Sequence, residues 1–217
     1  MIQIEKFAQT HAASSGEFLD HHTRDFTIYF VRHGETDWNA DQRYQGQRDI
    51  HLNDRGRAQA RRNGAVLAEV LGARAASLDY VSSPLRRACE TMEIMRGELL
   101  LPPSGYRTDE RLLEVHYGHW EGQLLTDLAT LDPEGLAARQ ADYWNWQPKD
   151  GESYRMLSDR VARWLKDVTR DTVVASHGGV SRVLRGLILQ LPYADIPQLE
   201  VPQDRILVLK AGDAGWL

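Results

Sequence analysis

The chain has a single cysteine, Cys89, and no apolar run as long as a membrane span. One cysteine excludes an internal disulfide and a Cys-x-x-Cys metal or redox site, and it suits a reducing cytoplasm. A transmembrane helix needs about 18 or more consecutive apolar residues, so none is predicted. The formal net charge of −5 argues against general binding to nucleic acid or to an anionic membrane. A cytoplasmic protein is therefore expected. Any anion site in it must be formed by basic residues that cluster at that site.

The length and composition suit one large folded domain. The 217 residues, of which 42% are hydrophobic, can bury a sizeable core. Residues 1–24 lack the apolar segment of a signal peptide, and we interpret them as an N-terminal extension. A single domain is therefore predicted over residues 25–217.

Strand-like and helix-like segments alternate along this domain. Five candidate strands lie at 26–31, 79–82, within 106–114, at 171–176 and at 205–210. Helix starts are indicated by Asn53, which can cap the segment that Gly72 ends, and by Ser83 followed by Pro84. The alternation predicts an α/β fold, a three-layer α/β/α sandwich with a largely parallel central sheet.

Basic residues, histidines and glycines follow three of the predicted strands. FTIYFV runs into Arg-His-Gly at 32–34, DYVSS leads to a helix start that carries Arg86, and DTVVAS runs into His-Gly-Gly at 177–179. Parallel strands place their carboxyl ends at one edge of the sheet, where ligands bind. Glycines let backbone N–H groups approach an anion, and arginines add forked donors. These residues together predict a phosphate-sized anion site.

The chain carries four motifs that resemble those of the histidine phosphatase superfamily, the phosphoglycerate-mutase-like proteins. In chain order they are VRHGETDWN, SSPLRRACET, RLLEVHYGHWEG and ASHGG. The resemblance spans about residues 26–210 and implies the phosphoglycerate-mutase-like fold. It also implies phosphoryl transfer through a phosphohistidine, with no cofactor and no metal ion. Activity that resists EDTA is therefore expected.

The resemblance also implies roles for individual residues. His33 matches the nucleophile that attacks phosphorus, and Glu114 matches the proton donor to the leaving group. The positions that match phosphate ligands are Arg32, Asn39, Gln45, Gly46, Arg86, His177 and Gly178, and Arg32, Arg86 and His177 among them also match catalytic positions. Of the neighbouring pair Arg86 and Arg87, the motif indicates Arg86 as the inward side chain. Because Glu114 must be protonated to act, a mildly acidic optimum is expected for esters with poor leaving groups.

Other interpretations of some residues stay open at this stage. Glu35, Glu110 and Glu121 compete with Glu114 for the role of acid. A Ser176–His177 hydrolase pair is disfavoured because adjacent strand residues point to opposite faces. The histidines of HYGH are interpreted as loop residues rather than as a metal site. The tryptophans of the segment YWNW are expected either to line a substrate pocket or to cap the core.

The segment at residues 123–150 favours a phosphatase over a mutase. It is short, and its five acidic residues outnumber its two basic ones, which suits a bisphosphorylated cofactor poorly. The favoured function is a phosphomonoester hydrolase that acts on a small phosphorylated metabolite. The alternatives are a phosphoglycerate mutase or related phosphotransferase, and a non-catalytic module that binds a phosphorylated ligand. No nucleic acid or membrane partner is expected, and a homodimer is the expected assembly.

Overall fold

A mixed β-sheet forms the centre of the protein. The computed structural model describes residues 5–6 and 26–217. Within them the strands are β1 (Glu5–Lys6), β2 (Thr27–Arg32), β3 (Asp79–Ser82), β4 (Arg107–Thr108), β5 (Thr172–Ser176), β6 (Ile206–Lys210) and β7 (Asp213–Trp216). The sheet order is β1-β7-β6-β2-β5-β3-β4. The block β2-β5-β3-β4 is parallel, whereas β6, β7 and β1 pair in antiparallel fashion.

Helices cover both faces of this sheet. The α-helices are α1 (Asp37–Ala40), α2 (Asp54–Leu71), α3 (Arg86–Glu98), α4 (Leu128–Leu131), α5 (Pro133–Ala141), α6 (Tyr154–Lys166) and α7 (Gly178–Leu189). Short 3₁₀ turns lie at Gly72–Ser77, Glu110–Leu112, Gly118–Trp120 and Ile196–Gln198. Helices α2 and α3 share one apolar core with the sheet, and α6 and α7 share the other. The predicted α/β/α sandwich is confirmed.

The two cores explain why the central strands are apolar throughout. In β2, Ile28 and Phe30 pack on the side of α6 and α7, whereas Tyr29 and Val31 pack on the side of α2 and α3. Successive strand residues point to opposite faces, so a strand between two helical layers is buried at every position. None of the helices in the described part of the chain is both long and apolar enough to cross a membrane.

The edges of the sheet differ from the prediction. The segment at 106–114 contributes only Arg107–Thr108 to the sheet before the chain turns into a 3₁₀ helix. Strand β7 was not predicted; it follows β6 through a turn in which Gly212 has φ +71°. Glu5–Lys6 pair with β7, so two residues of the expected N-terminal extension join the sheet. The other residues of 1–24 lie outside the described residues.

Candidate active site

A cavity of about 170 Å³ opens where β2 and β5 end and α7 begins. The residues that line it are Arg32, His33, Asn39, Arg43, Tyr44, Gln45, Gly46, Arg87, Glu114, Tyr117, Gly178 and Arg182. The expected convergence of strand ends on one site is therefore observed. A larger hollow of about 590 Å³, lined by Gln47, Arg48, His116, Gly118, His119, Glu121 and Asp150, contains none of these side chains.

His33 directly follows β2 and is buried. Its Nδ1 lies 2.8 Å from the Gly34 carbonyl oxygen, which can only accept, so Nδ1 carries the hydrogen and Nε2 carries the lone pair. Arg87 Nε donates to this Nε2 over 3.2 Å. Burial lowers the pKa of His33 well below 6.5, and the charges of Arg87 and Arg32 lower it further. The imidazole is therefore neutral near pH 7.

Arg87, and not Arg86, is the arginine of α3 that enters the site. Arg87 is 1% exposed and donates to the carbonyl oxygens of Arg48 and Gly46, at 2.6 and 2.7 Å. The Arg86 side chain is 64% exposed and forms an ion pair with Asp49. The prediction of Arg86 as the inward phosphate ligand was wrong.

The buried face of α3, which includes Arg87 and Thr91, explains this correction. Pro84 precedes the helix, Leu85 is its N-cap, and Arg86 is the first helical residue, two positions later than predicted. Consecutive helix residues point about 100° apart, so the register decides which arginine faces the sheet. Arg87 lies four residues before the buried Thr91, whose hydroxyl donates to the Arg87 carbonyl oxygen. This i,i+4 spacing is the sequence signal that favours Arg87.

His177 follows β5 and is fully buried beside His33, with 5.1 Å between the ring centroids. Its Nε2 is 2.7 Å from the hydroxyl oxygen of Ser83, and its Nδ1 has no hydrogen-bond partner among the described residues. Burial lowers the pKa of His177 well below 6.5, as do the charges near it, Arg87 first. The Ser176 hydroxyl donates instead to the Leu112 carbonyl oxygen, so no Ser176–His177 pair forms.

Glu114 is the carboxylate that lines the cavity. It accepts hydrogen bonds from the backbone N–H groups of Val115 at 2.9 Å and Gly179 at 3.0 Å. Of the three competing glutamates, Glu110 is exposed, Glu35 pairs with an arginine of α2, and Glu121 belongs to the larger hollow. The backbone at Val115 and the N-terminus of α7 thus hold the Glu114 carboxylate in the cavity that the arginines line.

The remaining predicted ligands also reach this cavity. Buried Gln45 has an Oε1 atom with no partner in the described part of the chain. Gly46 has φ +51°, and a Cβ atom there would lie 2.0 Å from Glu121 Oε1, so this close turn requires glycine. Asn39 Oδ1 accepts from Gln203 Nε2 at 3.1 Å, which orients the amide. Gly178 begins α7, whose N-terminus favours negative charge.

Besides Arg87, four lining residues were missed by the sequence reasoning: Arg43, Tyr44, Tyr117 and Arg182. The rings of Tyr44 and Tyr117 pack edge to face with centroids 4.7 Å apart. Arg182 lies one helical turn after Gly178, a spacing that could have indicated it. Arg43 and Tyr44 directly precede the predicted Gln45, which is a weaker signal.

The tryptophans and histidines around the site pack outside the cavity. Trp144 stacks on Tyr193 with centroids 4.7 Å apart, and Trp146 packs on Trp120 at 4.3 Å. Trp144 therefore belongs to the core, the second of the two expected roles, whereas Trp146 is half-buried against Trp120. His119 contacts Asp132 at 2.9 Å, and no group of three potential metal ligands occurs among the described residues.

Comparisons with known proteins point to one family. The family model described as histidine phosphatase superfamily (branch 1) matches residues 28–217. The glucosyl-3-phosphoglycerate phosphatase of Mycobacterium tuberculosis is 37% identical over 192 residues, which cover 79% of each chain. The metal-independent phosphoserine phosphatase of Arabidopsis thaliana is 33% identical over 163 residues, 72% of this chain and 66% of the relative.

A solved structure agrees with these sequence relatives. The crystal structure of the alpha-ribazole phosphatase from Shigella flexneri superimposes with a TM-score of 0.75 at 26% sequence identity. The match covers 88% of this chain and 95% of that one. The relatives named here are all phosphatases.

Proposed function

The chain belongs to the histidine phosphatase superfamily, and we propose that it hydrolyses a small phosphorylated metabolite through a phosphohistidine on His33. One observation carries this proposal. A neutral imidazole presents its Nε2 lone pair beside a buried guanidinium, in a cavity rich in arginine. A lone pair there is a nucleophile, and the guanidinium is a donor for the phosphoryl oxygens.

In the first step, the hydrogen bond from Arg87 Nε to His33 Nε2 is released as the phosphate binds. The freed lone pair of Nε2 attacks phosphorus, and the bond from phosphorus to the ester oxygen breaks. Glu114 gives its proton to the departing oxygen, so the alcohol leaves neutral. Arg32 and Arg87 stabilise the negative charge on the phosphoryl oxygens, which is the main requirement of phosphoryl transfer. His177 lies beside the nucleophile and adds a further donor when its Nδ1 carries a hydrogen.

In the second step, water attacks the phosphohistidine. One proton of this water passes to the Glu114 carboxylate. The bond between Nε2 and phosphorus breaks, and the electron pair of that bond returns to Nε2. Inorganic phosphate is released, and both His33 and Glu114 regain their starting forms. The arginines supply the positive charge that metal ions supply in other phosphatases, so we expect activity in the presence of EDTA. The similarity to a metal-independent phosphatase supports this expectation.

The test is hydrolysis of a panel of phosphomonoesters between about pH 5 and pH 8 with EDTA present. Wild-type protein should release phosphate and form an acid-labile phosphoryl adduct on His33, detected by mass spectrometry. His33→Ala should lose both, with activity reduced at least about a thousandfold. Phosphate release by His33→Ala at the wild-type rate would refute the mechanism. Exchange of phosphate between positions of phosphoglycerate without net release would indicate a mutase instead.

A further inference from the structure

Ser83 has no role in the two steps above, yet its hydroxyl contacts a histidine of the site. The residue directly follows β3 and is fully buried. Its backbone N–H donates to the Ala175 carbonyl oxygen of β5 at 3.0 Å, which fixes its position against the sheet. Its oxygen Oγ lies 2.7 Å from Nε2 of His177. The sheet therefore holds the Ser83 hydroxyl at hydrogen-bond distance from this imidazole.

The direction of this hydrogen bond follows from the other contact of the hydroxyl. The backbone N–H of Leu85 lies 3.4 Å from Ser83 Oγ, and an N–H group can only donate. Across the described part of the chain, His177 Nε2 is the one acceptor within hydrogen-bond distance of this hydroxyl. The hydroxyl hydrogen therefore points at Nε2, which must carry a lone pair.

The lone pair on Nε2 determines which nitrogen of His177 carries the hydrogen. Burial and the charge of Arg87 lower the pKa of His177 well below 6.5, so the ring is neutral near pH 7. A neutral imidazole carries one hydrogen, which must then be on Nδ1. Nδ1 is buried and has no hydrogen-bond partner among the described residues. A buried donor without an acceptor is unfavourable, so a ligand oxygen that accepts from Nδ1 would be stabilised.

The two histidines of the site thus have the same tautomer but use opposite ring nitrogens. The Gly34 carbonyl oxygen holds the hydrogen of His33 on Nδ1, which leaves the lone pair on Nε2 for attack. In His177 the Ser83 hydroxyl occupies the Nε2 lone pair, which leaves the Nδ1 hydrogen for an oxygen of the ligand. The opposite tautomer of His177 would present a lone pair to the phosphoryl oxygens, and the two would repel each other.

We propose that Ser83 is a positioning residue, whose hydroxyl keeps the hydrogen of His177 on Nδ1 so that this nitrogen donates to the transferred phosphoryl group. The inference rests on the proposed function of the cavity. Ser82 supplies a matched control for substitutions of Ser83. It is equally buried, but its hydroxyl donates to the carbonyl oxygens of Ser83 and Ala175, at 2.9 and 3.3 Å.

The first test is the ¹⁵N NMR spectrum of His177 at about pH 7.5 without phosphate, assigned by comparison with His177→Gln. The wild type should show a protonated Nδ1 and an unprotonated Nε2. Ser83→Ala should show both nitrogens partly protonated, because the donor that favours one tautomer is absent. Ser83→Thr, which keeps a hydroxyl, and Ser82→Ala should retain the wild-type spectrum. A wild-type spectrum in Ser83→Ala would overturn the proposal.

The second test relates the tautomer to the ligand. Ser83→Ala should lower kcat/KM for a hydrolysed ester by about tenfold to a hundredfold, and Ser83→Thr should restore part of it. Calorimetry should show inorganic phosphate binding to Ser83→Ala about tenfold more weakly than to Ser82→Ala, a result that requires no turnover. Unchanged phosphate affinity and unchanged kcat/KM in Ser83→Ala would refute the role of Ser83 and leave hydrolysis through His33 intact. If thermal unfolding shows that Ser83→Ala does not fold, Ser83→Cys, whose thiol is a weak donor, takes its place in both tests.

Discussion

At the scale of single residues, two adjacent arginines of α3 have opposite surroundings. Arg87 donates to Nε2 of His33, the proposed nucleophile, and to two backbone carbonyl oxygens of the loop that holds Gln45 and Gly46. Burial lowers the pKa of Arg87 to about 10, so the side chain remains charged near pH 7. Arg86 pairs with Asp49 at the surface. Arg86 is therefore the matched control for a substitution of Arg87.

We expect Arg87→Gln to lower kcat/KM for any hydrolysed ester by about a hundredfold to a thousandfold, because it removes a buried donor beside the transferred phosphoryl group. Arg86→Gln should change it by about twofold or less, since exposed ion pairs contribute little. Steady-state kinetics on both variants, with melting temperatures to detect unfolding, make the comparison. Similar losses in the two variants would show that Arg87 has no special part in catalysis.

At the scale of elements, the first turn of α7 fixes the proposed acid. Gly179 donates its N–H to Glu114, and a Cβ atom at Gly179 would lie 2.4 Å from Glu114 Oε1. Such a distance is far below van der Waals contact, so any side chain there must displace the carboxylate. The helix therefore determines both the partner and the position of Glu114.

Gly179→Ala should lower kcat for an alkyl phosphate by about tenfold to a hundredfold, because a displaced acid protonates the leaving group poorly. An aryl phosphate such as p-nitrophenyl phosphate, whose leaving group needs little protonation, should lose less. The ratio of the two kcat values is the quantity to measure. Gly97→Ala is the control, since a Cβ atom at Gly97 meets nothing within 4 Å. An equal loss for both esters would argue against a displaced proton donor.

The elements also show what the sequence could and could not predict. The apolar runs of β2 and β5 and the cap residue Asn53 are local signals, and each marks its element within about two residues. The start of α3 was misplaced because Ser83 and Pro84 form a typical helix start, whereas the structure begins the helix after Leu85. Arg43 and Arg182 belong to distant segments that both reach the cavity through packing, so only their spacing from Gln45 and Gly178 could have indicated them. Strand β7 has a glycine and an aspartate in four residues, a composition that disfavours strands.

At the scale of the whole molecule, the protonation of two buried histidines of the site affects the free energy of unfolding. The folded chain keeps His33 and His177 neutral below pH 6.5, because burial and nearby arginines lower both pKa values. The unfolded chain exposes them to water, where a histidine takes up a proton at about pH 6.5. Between these pKa values the unfolded state binds more protons, so acid favours unfolding.

The free energy of unfolding, measured without phosphate, should therefore fall as pH decreases from 7.5 to 5.5. Each histidine contributes a slope of up to about 1.4 kcal/mol per pH unit below its unfolded pKa. Urea denaturation at several pH values gives this slope for the wild type and for His33→Gln, in which the slope should be smaller. His51→Gln, at an exposed position, is the control. A slope in His33→Gln equal to that of the wild type would contradict the coupling.

The arginines around the cavity have one further consequence. Among the described residues, none of Arg32, Arg43, Arg87 and Arg182 forms an ion pair with a carboxylate, and their mutual repulsion opposes folding. Any dianion that binds relieves this repulsion, and inorganic phosphate is the dianion that the proposed reaction releases. Product then competes with substrate for the same donors. The concentration of phosphate around the protein would thus affect both the free energy of unfolding and the rate of the reaction.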